Sequence, residues 1–352
     1  MTMSTDKGYN PRGSRVNLSN YIAIIEYAMD PTNELDIRYR GNYINIYYLG
    51  GSLLKLNGDG NIYFDEHYYY PRSKELPISY IEALIANDFR SKISGIKKLS
   101  HFHLSEDDLM KKKQKAEEIY TRILASRDKH INSLRSGEPE EVSHTLSEMK
   151  KAMNDWKKSK SGNGVDERTV QHYISLFNKE FSIGSDFIVI DLEYMLSGRS
   201  AYCIPKDQMG SKKGQPRIDI VAIEKRTGQL YVLELKYGLK STKGAAGVVE
   251  HYNDYLKSVG ADDKWEEFWN DIDFLVNAQK EYNILSQNVS LSKSKPIFGF
   301  VYKPEFSENE RDEFNQLLIK NDLSSIMTIY LPHCNYDKCN SPGAQTHLLK
   351  KP

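Results

Sequence analysis

The clearest pattern of hydrophobic and polar positions consists of two apolar stretches separated by a short polar turn. The stretches are Arg217–Ile223 and Leu230–Lys236, and the turn is Lys225–Gly228. Branched and aromatic residues on both sides of a glycine-containing turn predict a β-hairpin. Charged side chains interrupt both stretches, and a charge is costly to bury unless it is paired or binds a ligand. The predicted hairpin therefore indicates a functional site.

The register of this hairpin decides which charged groups meet. If Glu224 pairs with Gln229 across the turn, Asp219 lies opposite Glu234, at roughly 5 Å between Cβ atoms. Glu234 and Lys236 are two residues apart, so their side chains share one face of the strand. Two carboxylates at this separation suit Mg²⁺ or Mn²⁺, and a neighbouring lysine can orient water or stabilise negative charge. An ordinary hairpin with edge charges is the alternative, and a one-residue shift of the turn would separate the groups.

These residues resemble the active-site pattern of the PD-(D/E)XK nuclease superfamily, because Asp219 is followed after fourteen residues by Glu234-Leu235-Lys236. The resemblance extends over residues 165–303. It implies a restriction-endonuclease-like α/β fold, in which a mixed central sheet is flanked by helices. The core would run helix, three strands, helix and fourth strand, and it would hydrolyse phosphodiester bonds with a divalent metal. One departure is that Ile218 replaces the proline that often precedes the aspartate.

The superfamily usually adds a glutamate from its first helix, and this chain offers two candidates. The segment Asp166–Phe181 has helical spacing, and Glu167 heads its apolar stripe. Glu167 would then join Asp219 and Glu234 at the metal or its water. The alternative is that Glu167 only stabilises the helix N-terminus. Glu180 is the competing candidate, one position off the stripe.

The pattern also predicts the remaining elements of this domain. Strands are predicted within residues 186–195, 296–302 and 326–331, and helices at about residues 245–258, 262–285 and 307–319. Relatives often carry a glutamine four residues before a tyrosine in the first of these helices. Here His251 precedes Tyr255 at that spacing. A surface histidine is the favoured interpretation, and a group supporting the site is the alternative.

Several lysines close to the hairpin are candidate nucleic-acid contacts. Lys212 and Lys213 lie in the polar, glycine-containing segment before it, and Lys240 and Lys243 follow it. Basic side chains beside a nuclease site can contact phosphates. Solvated loops with no such role are the alternative.

The rest of the chain predicts two further segments. Residues 1–103 read as an α+β domain for recognition, sensing or dimerisation, with a helix at 18–29 and two hairpins within 34–64. Residues 104–161 read as a helical hairpin arm broken at Gly137–Pro139, and residues 162–352 as the nuclease-like domain. In the first segment, Arg38 and Arg40 could bind nucleic-acid phosphates while the many tyrosines stack on bases. A half-buried sheet surface is the favoured interpretation.

Composition narrows the classes of protein. Basic and acidic residues balance at 48 each, so any nucleic-acid surface must be local. The 3 cysteines do not form a disulfide framework, which fits a reducing cytoplasm. We expect no signal peptide and no membrane association, because no apolar run approaches the ~20 residues needed to span a bilayer. No phosphate-loop motif is present, so an ATP motor is excluded.

We therefore expect a metal-dependent nuclease that acts on DNA in preference to RNA, as the resemblance implies, in the setting of restriction or antiviral defence. Asp219 and Glu234 would hold Mg²⁺ or Mn²⁺, while Lys236 and Glu167 would act on the attacking water. A homodimer is one arrangement that would allow both strands to be cut. The first rival is a nucleic-acid-binding or assembly module with little cleavage on the same fold. The second is a hydrolase that acts on another phosphoester.

Overall fold

A computed structural model of the chain shows a mixed α/β protein with two β-sheets. The residues that the structure describes are 18–40, 43–64, 106–161, 165–196, 204, 216–242, 247–334 and 346–352.

The larger sheet has five strands in the order β5-β6-β7-β8-β9. They are β5 (Phe187–Met195), β6 (Arg217–Glu224), β7 (Leu230–Tyr237), β8 (Ile297–Lys303) and β9 (Met327–Tyr330). The first three strands are antiparallel neighbours, whereas β7, β8 and β9 run parallel. Parallel neighbours need crossover connections, and helices provide them here. The predicted strands are confirmed within a residue or two at most ends.

Helices cover both faces of this sheet. Helix α4 (Glu167–Phe177) precedes β5, α5 (Val248–Lys257) and α6 (Trp265–Glu281) connect β7 to β8, and α7 (Glu310–Lys320) connects β8 to β9. On one face, α4 inserts Val170 and Ile174 into an apolar core with alternate residues of the strands. On the other face, Phe314 of α7 stacks on Tyr302, with ring centroids 4.2 Å apart. Because side chains alternate along a strand, each strand sends one set of residues to each face.

The smaller sheet contains three antiparallel neighbours, β1 (Asp36–Tyr39), β2 (Tyr43–Tyr48) and β3 (Gly51–Asn57), and a short strand β4 (Ile62–Tyr63) follows. Helix α1 (Ile22–Met29) precedes them, after a 3-10 turn at Leu18–Tyr21. The predicted hairpin formed by β1 and β2 is confirmed, because Asp36 pairs with Tyr47 and Tyr39 with Ile44 in an antiparallel register.

Two arginines join the smaller sheet to β5. Arg38 is buried, bonds Asp36 at 2.8 Å and donates to the Val189 carbonyl oxygen at 2.8 Å. Arg40 pairs with the buried Asp191 at 2.5 Å. Both guanidinium groups are therefore committed to internal partners. Phosphate binding by these two arginines, the less favoured interpretation of the sequence, is wrong.

The helical hairpin predicted from the sequence is confirmed. Helices α2 (Glu106–Ser136) and α3 (Pro139–Ser161) are separated by Gly137 and Glu138, and Gly137 has a positive φ of 73°. Apolar side chains from both helices are buried, among them Ile123, Leu134, Val142 and Met149.

The contacts divide the chain into two compact units. One contains the described residues within 28–61 and 165–352, and we call it the α/β unit. The other contains the described residues within 17–27 and 62–164. The segment that carries β1 to β3 therefore clusters with the larger sheet. Whether the three segments predicted from the sequence act as separate domains stays a prediction. Among the described helices, none combines the length and apolar character needed to cross a bilayer.

Candidate active site

The β6–β7 hairpin has the register predicted from the sequence. Ile220 pairs with Leu233 and Ile223 with Leu230, and the Glu224 N–H donates to the Gln229 carbonyl oxygen at 2.9 Å across the turn. One position beyond the Ile220–Leu233 pair, this register brings Asp219 beside Glu234. The predicted meeting of the two carboxyl groups depended on this pairing.

The faces of the strands place the charged groups of β7 together. Leu233 and Leu235 enter the apolar core beneath α4. Glu234 and Lys236 alternate with these leucines and therefore point to the opposite face. Both side chains are buried there, with 5% of the Glu234 side chain and 3% of the Lys236 side chain exposed. Lys236 Nζ lies 3.3 Å from Glu234 Oε1, so the carboxylate and the ammonium form a buried ion pair.

Asp219 is held against β7 by its carboxyl group. Its Oδ2 atom accepts a hydrogen bond from the Leu235 N–H at 3.0 Å. Burial raises the pKa of Asp219 well above its usual range, and the nearby charge of Glu234 raises it further. The two carboxyl groups also share a hydrogen bond. Such a bond needs one proton, so the proximity of the two carboxyl groups favours one proton shared by the pair when no cation is present.

The side chain of His251 reaches the same group from α5. Its Nδ1 atom lies 2.7 Å from Glu234 Oε1, and 21% of the side chain is exposed. The favoured interpretation of His251 as a helix-surface residue is therefore wrong, and the alternative, a group supporting the site, fits the geometry. The available signal was its position four residues before Tyr255, whose hydroxyl donates to the Pro296 carbonyl oxygen at 2.7 Å.

Glu167 reaches the site from the first turn of α4. Asp166 caps this helix by accepting a hydrogen bond from the Thr169 N–H at 3.0 Å. The turn before β3 packs against the same end, because Gly50, at φ +74°, leaves no room for a Cβ atom beside the Arg168 carbonyl. These contacts fix where Glu167 begins the helix.

The environment of Glu167 changes its protonation. Burial, followed by the charge of Asp219, raises the pKa of Glu167 to about 7, although the charge of Lys236 and a hydrogen bond from the Tyr237 N–H oppose the rise. Sequence reasoning missed the Tyr237 amide, because a backbone donor carries no residue-specific signal. The competing candidate, Glu180, lies in a different environment, where it accepts a hydrogen bond from the Ser286 N–H at 2.8 Å.

Asp219, Glu234, Lys236 and Glu167 thus converge at one end of the hairpin. No family model matches this chain, and neither the curated proteins nor the solved structures gave a significant match. The argument for function therefore comes from the site itself.

The lysines predicted to bind nucleic acid are only partly described. Lys240 is exposed in a 3-10 turn at Leu239–Thr242, directly after β7. Its Nζ atom lies 5.8 Å from the centre of the Phe306 ring, and that phenylalanine is 68% exposed. Lys212, Lys213 and Lys243 lie outside the described residues.

The donor set can be tested against a divalent cation. Among the described residues, no group of three or more His, Cys, Asp or Glu side chains is arranged as a metal site. Asp219 and Glu234 nevertheless supply adjacent carboxylate oxygens whose repulsion a cation would relieve. Mg²⁺ commonly binds through one or two carboxylates and completes its shell with water and substrate phosphate. The pair therefore fits Mg²⁺ or Mn²⁺ bound together with a phosphate substrate.

Proposed function

We propose that the α/β unit is a metal-dependent nuclease of the PD-(D/E)XK type that cleaves DNA. The observation that carries the proposal is the convergence of Asp219, Glu234, Lys236 and Glu167 at one end of a hairpin in the predicted register. The order of elements supports it, because α4, β5, β6, β7, α5 and β8 follow the helix–three strands–helix–strand order of that superfamily's core.

Asp219 and Glu234 would hold Mg²⁺ or Mn²⁺, and the Leu235 carbonyl is a further candidate ligand. When bound, such an ion stabilises charge on the scissile phosphate and on the leaving oxygen. Side chains of the protein would orient the metal ligands and the attacking water. Glu234 is already oriented by Lys236 at 3.3 Å and by His251 at 2.7 Å, which would hold its carboxylate in place before substrate arrives.

Lys236 and Glu167 would act on the attacking water. The Lys236 ammonium is buried beside the carboxylates, so it can orient a water and counter the negative charge that develops on the phosphate. Glu167, with a pKa of about 7, is suited to accept a proton near neutral pH or to hold a water next to the ion. The exposed Lys240 would contact a phosphate of the substrate.

DNA is favoured over RNA because the resemblance implies it, and restriction or antiviral defence in the cytoplasm is the setting proposed on the same ground. A homodimer would place two such sites against two strands.

Two rival functions make different predictions. A binding module would hold nucleic acid without cleaving it, and another kind of hydrolase would act on small phosphoesters.

The deciding experiment incubates the full-length protein with supercoiled, linear and single-stranded DNA and with RNA, each with Mg²⁺, with Mn²⁺ and with EDTA. Asp219→Asn and Lys236→Met should lose cleavage while retaining the thermal unfolding transition. Lys225→Met is the matched control, because its ammonium lies at the turn of the same hairpin and bonds the Ser182 carbonyl oxygen at 2.8 Å. It should cleave as wild type.

The outcomes separate the three functions. Metal-dependent cleavage that Asp219→Asn and Lys236→Met abolish supports the nuclease. Binding without cleavage under every metal condition supports the module. Turnover of bis-p-nitrophenyl phosphate with every nucleic acid left intact supports the other hydrolase.

A further inference from the structure

A cavity of about 400 Å³ lies in the α/β unit at the C-terminal end of α4. Its walls come from residues before and within β1, from the end of α4 and the loop after it, from β5, and from the end of α6 with its following loop. A volume of this size is within the range of small-molecule sites. Glu167 begins α4 and Leu176 lines the cavity, so roughly 14 Å of helix separates the cavity from the carboxylate site.

The lining is mostly apolar. Ile37 and Ile188, from the two sheets, and Leu285, from the loop after α6, are buried residues of the wall. Phe181 and Met29 also line the cavity, yet they are 83% and 44% exposed, which places them at its mouth. An apolar wall with exposed apolar side chains at the entrance favours a ligand that has an apolar body.

Most charged groups of the lining are already satisfied within the fold. Asp36 accepts hydrogen bonds from Arg38 Nε and from the Ser175 hydroxyl, both at 2.8 Å. Arg38 also donates to the Val189 carbonyl oxygen at 2.8 Å. Glu180 accepts a hydrogen bond from the Ser286 N–H at 2.8 Å. These charged groups line the cavity, but each already makes hydrogen bonds within the protein.

Lys179 differs from them. Its Nζ atom lies 3.5 Å from the Leu35 carbonyl oxygen, which is the outer limit of a hydrogen bond. Burial lowers the pKa of Lys179, although the charge of Asp36 opposes that effect. An anion in the cavity would give this ammonium a closer, charge-assisted bond.

We propose that the cavity is a binding site for a small amphipathic anion, whose acidic group pairs with Lys179 and whose apolar body lies against Ile37, Ile188 and Leu285. The proposal stands on the cavity and its lining, and it does not depend on nuclease activity. A neutral apolar molecule and a cation are the alternative ligands. Neither would give Lys179 an opposite charge.

Two fluorescent probes with similar bodies test the proposal in the full-length protein. Anilinonaphthalene sulfonate carries an acidic group, and phenylnaphthylamine lacks it. We expect the wild-type protein to bind the sulfonate at one site. Lys179→Met keeps the length of the side chain and removes its charge, so the dissociation constant for the sulfonate should rise about tenfold or more. The constant for the neutral probe should change less than about twofold.

Two further variants make the test specific. Leu176→Trp fills the cavity and should abolish one-site binding of the sulfonate, with folding checked by the thermal transition. Lys295→Met is the control, because that lysine is paired with the exposed Asp262 at 2.6 Å outside the lining. It should bind as wild type. Absence of one-site binding by wild type overturns the proposal. So does sulfonate binding that is equally strong in Lys179→Met, or unchanged in a folded Leu176→Trp protein.

Discussion

The Nδ1 atom of His251 lies 2.7 Å from Glu234 Oε1, the same oxygen that Lys236 Nζ contacts at 3.3 Å. One carboxylate oxygen on β7 is therefore held from two sides, by its own strand and by α5. The orientation of the Glu234 carboxylate therefore depends on both the hairpin and the crossover helix α5.

We predict that His251→Ala lowers cleavage or cation affinity about 10- to 100-fold, as expected when a group that orients a metal ligand is removed. His251→Gln should recover part of the loss, because an amide can also donate to Glu234. The measurement is the Mn²⁺ concentration dependence of cleavage, together with direct Mn²⁺ titration. His144→Ala, on an exposed part of α3, is the control. Equal behaviour of the Ala and Gln variants would contradict a role through the hydrogen bond.

We predict that Asp219→Asn is more stable than wild type in the absence of divalent cations. The change removes a carboxyl group whose pKa is raised by burial and by Glu234, and asparagine can still accept from the Leu235 N–H. The gain in the free energy of unfolding should be about 1–3 kcal/mol at pH 8, where repulsion between the two carboxyl groups is largest. Thermal or urea unfolding in EDTA measures it. A destabilised Asp219→Asn protein would show that the two carboxyl groups do not repel as described.

The pH dependence of stability follows from the sign of the Glu167 shift. A carboxyl group whose pKa is raised from 4.5 to about 7 binds more protons in the folded state than in the unfolded state over that interval. Its contribution to stability is present below pH 4.5 and is lost as the pH rises to about 7. We expect Glu167→Gln to flatten this part of the stability profile in EDTA. An unchanged slope between pH 5 and 7 in that variant would exclude the assignment.

Cation binding should show the opposite dependence. Mg²⁺ must compete with protons on Glu167 and on the Asp219–Glu234 pair, so affinity should increase as the pH rises through about 7. Calorimetric titration of Mn²⁺ at pH 6, 7 and 8 measures this. In Glu167→Gln the increase between pH 6 and 8 should shrink. Affinity independent of pH in the wild-type protein would mean that the carboxyl groups do not bind the ion.

We predict that Arg40→Met destabilises the α/β unit by about 3–5 kcal/mol, because it leaves the buried Asp191 without its cation. Adding Asp191→Asn should recover much of the loss, since the amide oxygen can keep the hydrogen bond from the Leu192 N–H. Arg217→Met is the matched control. Its pair with Glu193, at 3.4 Å, is largely exposed and should contribute at most about 1 kcal/mol. Equal losses in both single variants would contradict the distinction.

Local pattern was sufficient to predict the hairpin register, because the turn residues between Glu224 and Gln229 and the alternation of β7 both act over short distances. It also placed Glu167 at the head of α4. The same reasoning could not place His251, because its contact with Glu234 depends on how the crossover after β7 returns α5 to the sheet. That path is set by the packing of α5 against β8. For example, the ring centroids of Tyr255 and Phe298 lie 5.1 Å apart.

The roles of Arg38 and Arg40 show a second limit of sequence reasoning. Arginines in a tyrosine-rich strand have the same pattern whether they face solvent or neighbouring strands. The burial of Arg38, its bond to the distant Val189 carbonyl and the pair between Arg40 and the distant Asp191 show that these guanidinium groups are internal. The cavity beside Lys179 is hidden for the same reason, since its walls come from distant segments.

The arginines of the smaller sheet affect how deletion experiments should be interpreted. A shortened protein that starts at Val165 would keep Glu167, Asp219, Glu234 and Lys236, but Asp191 would lose its partner and Val189 the donor to its carbonyl oxygen. Inactivity of such a fragment would then reflect the loss of these stabilising contacts and would say nothing about the catalytic residues. Point substitutions in the intact chain are the way to separate chemistry from folding.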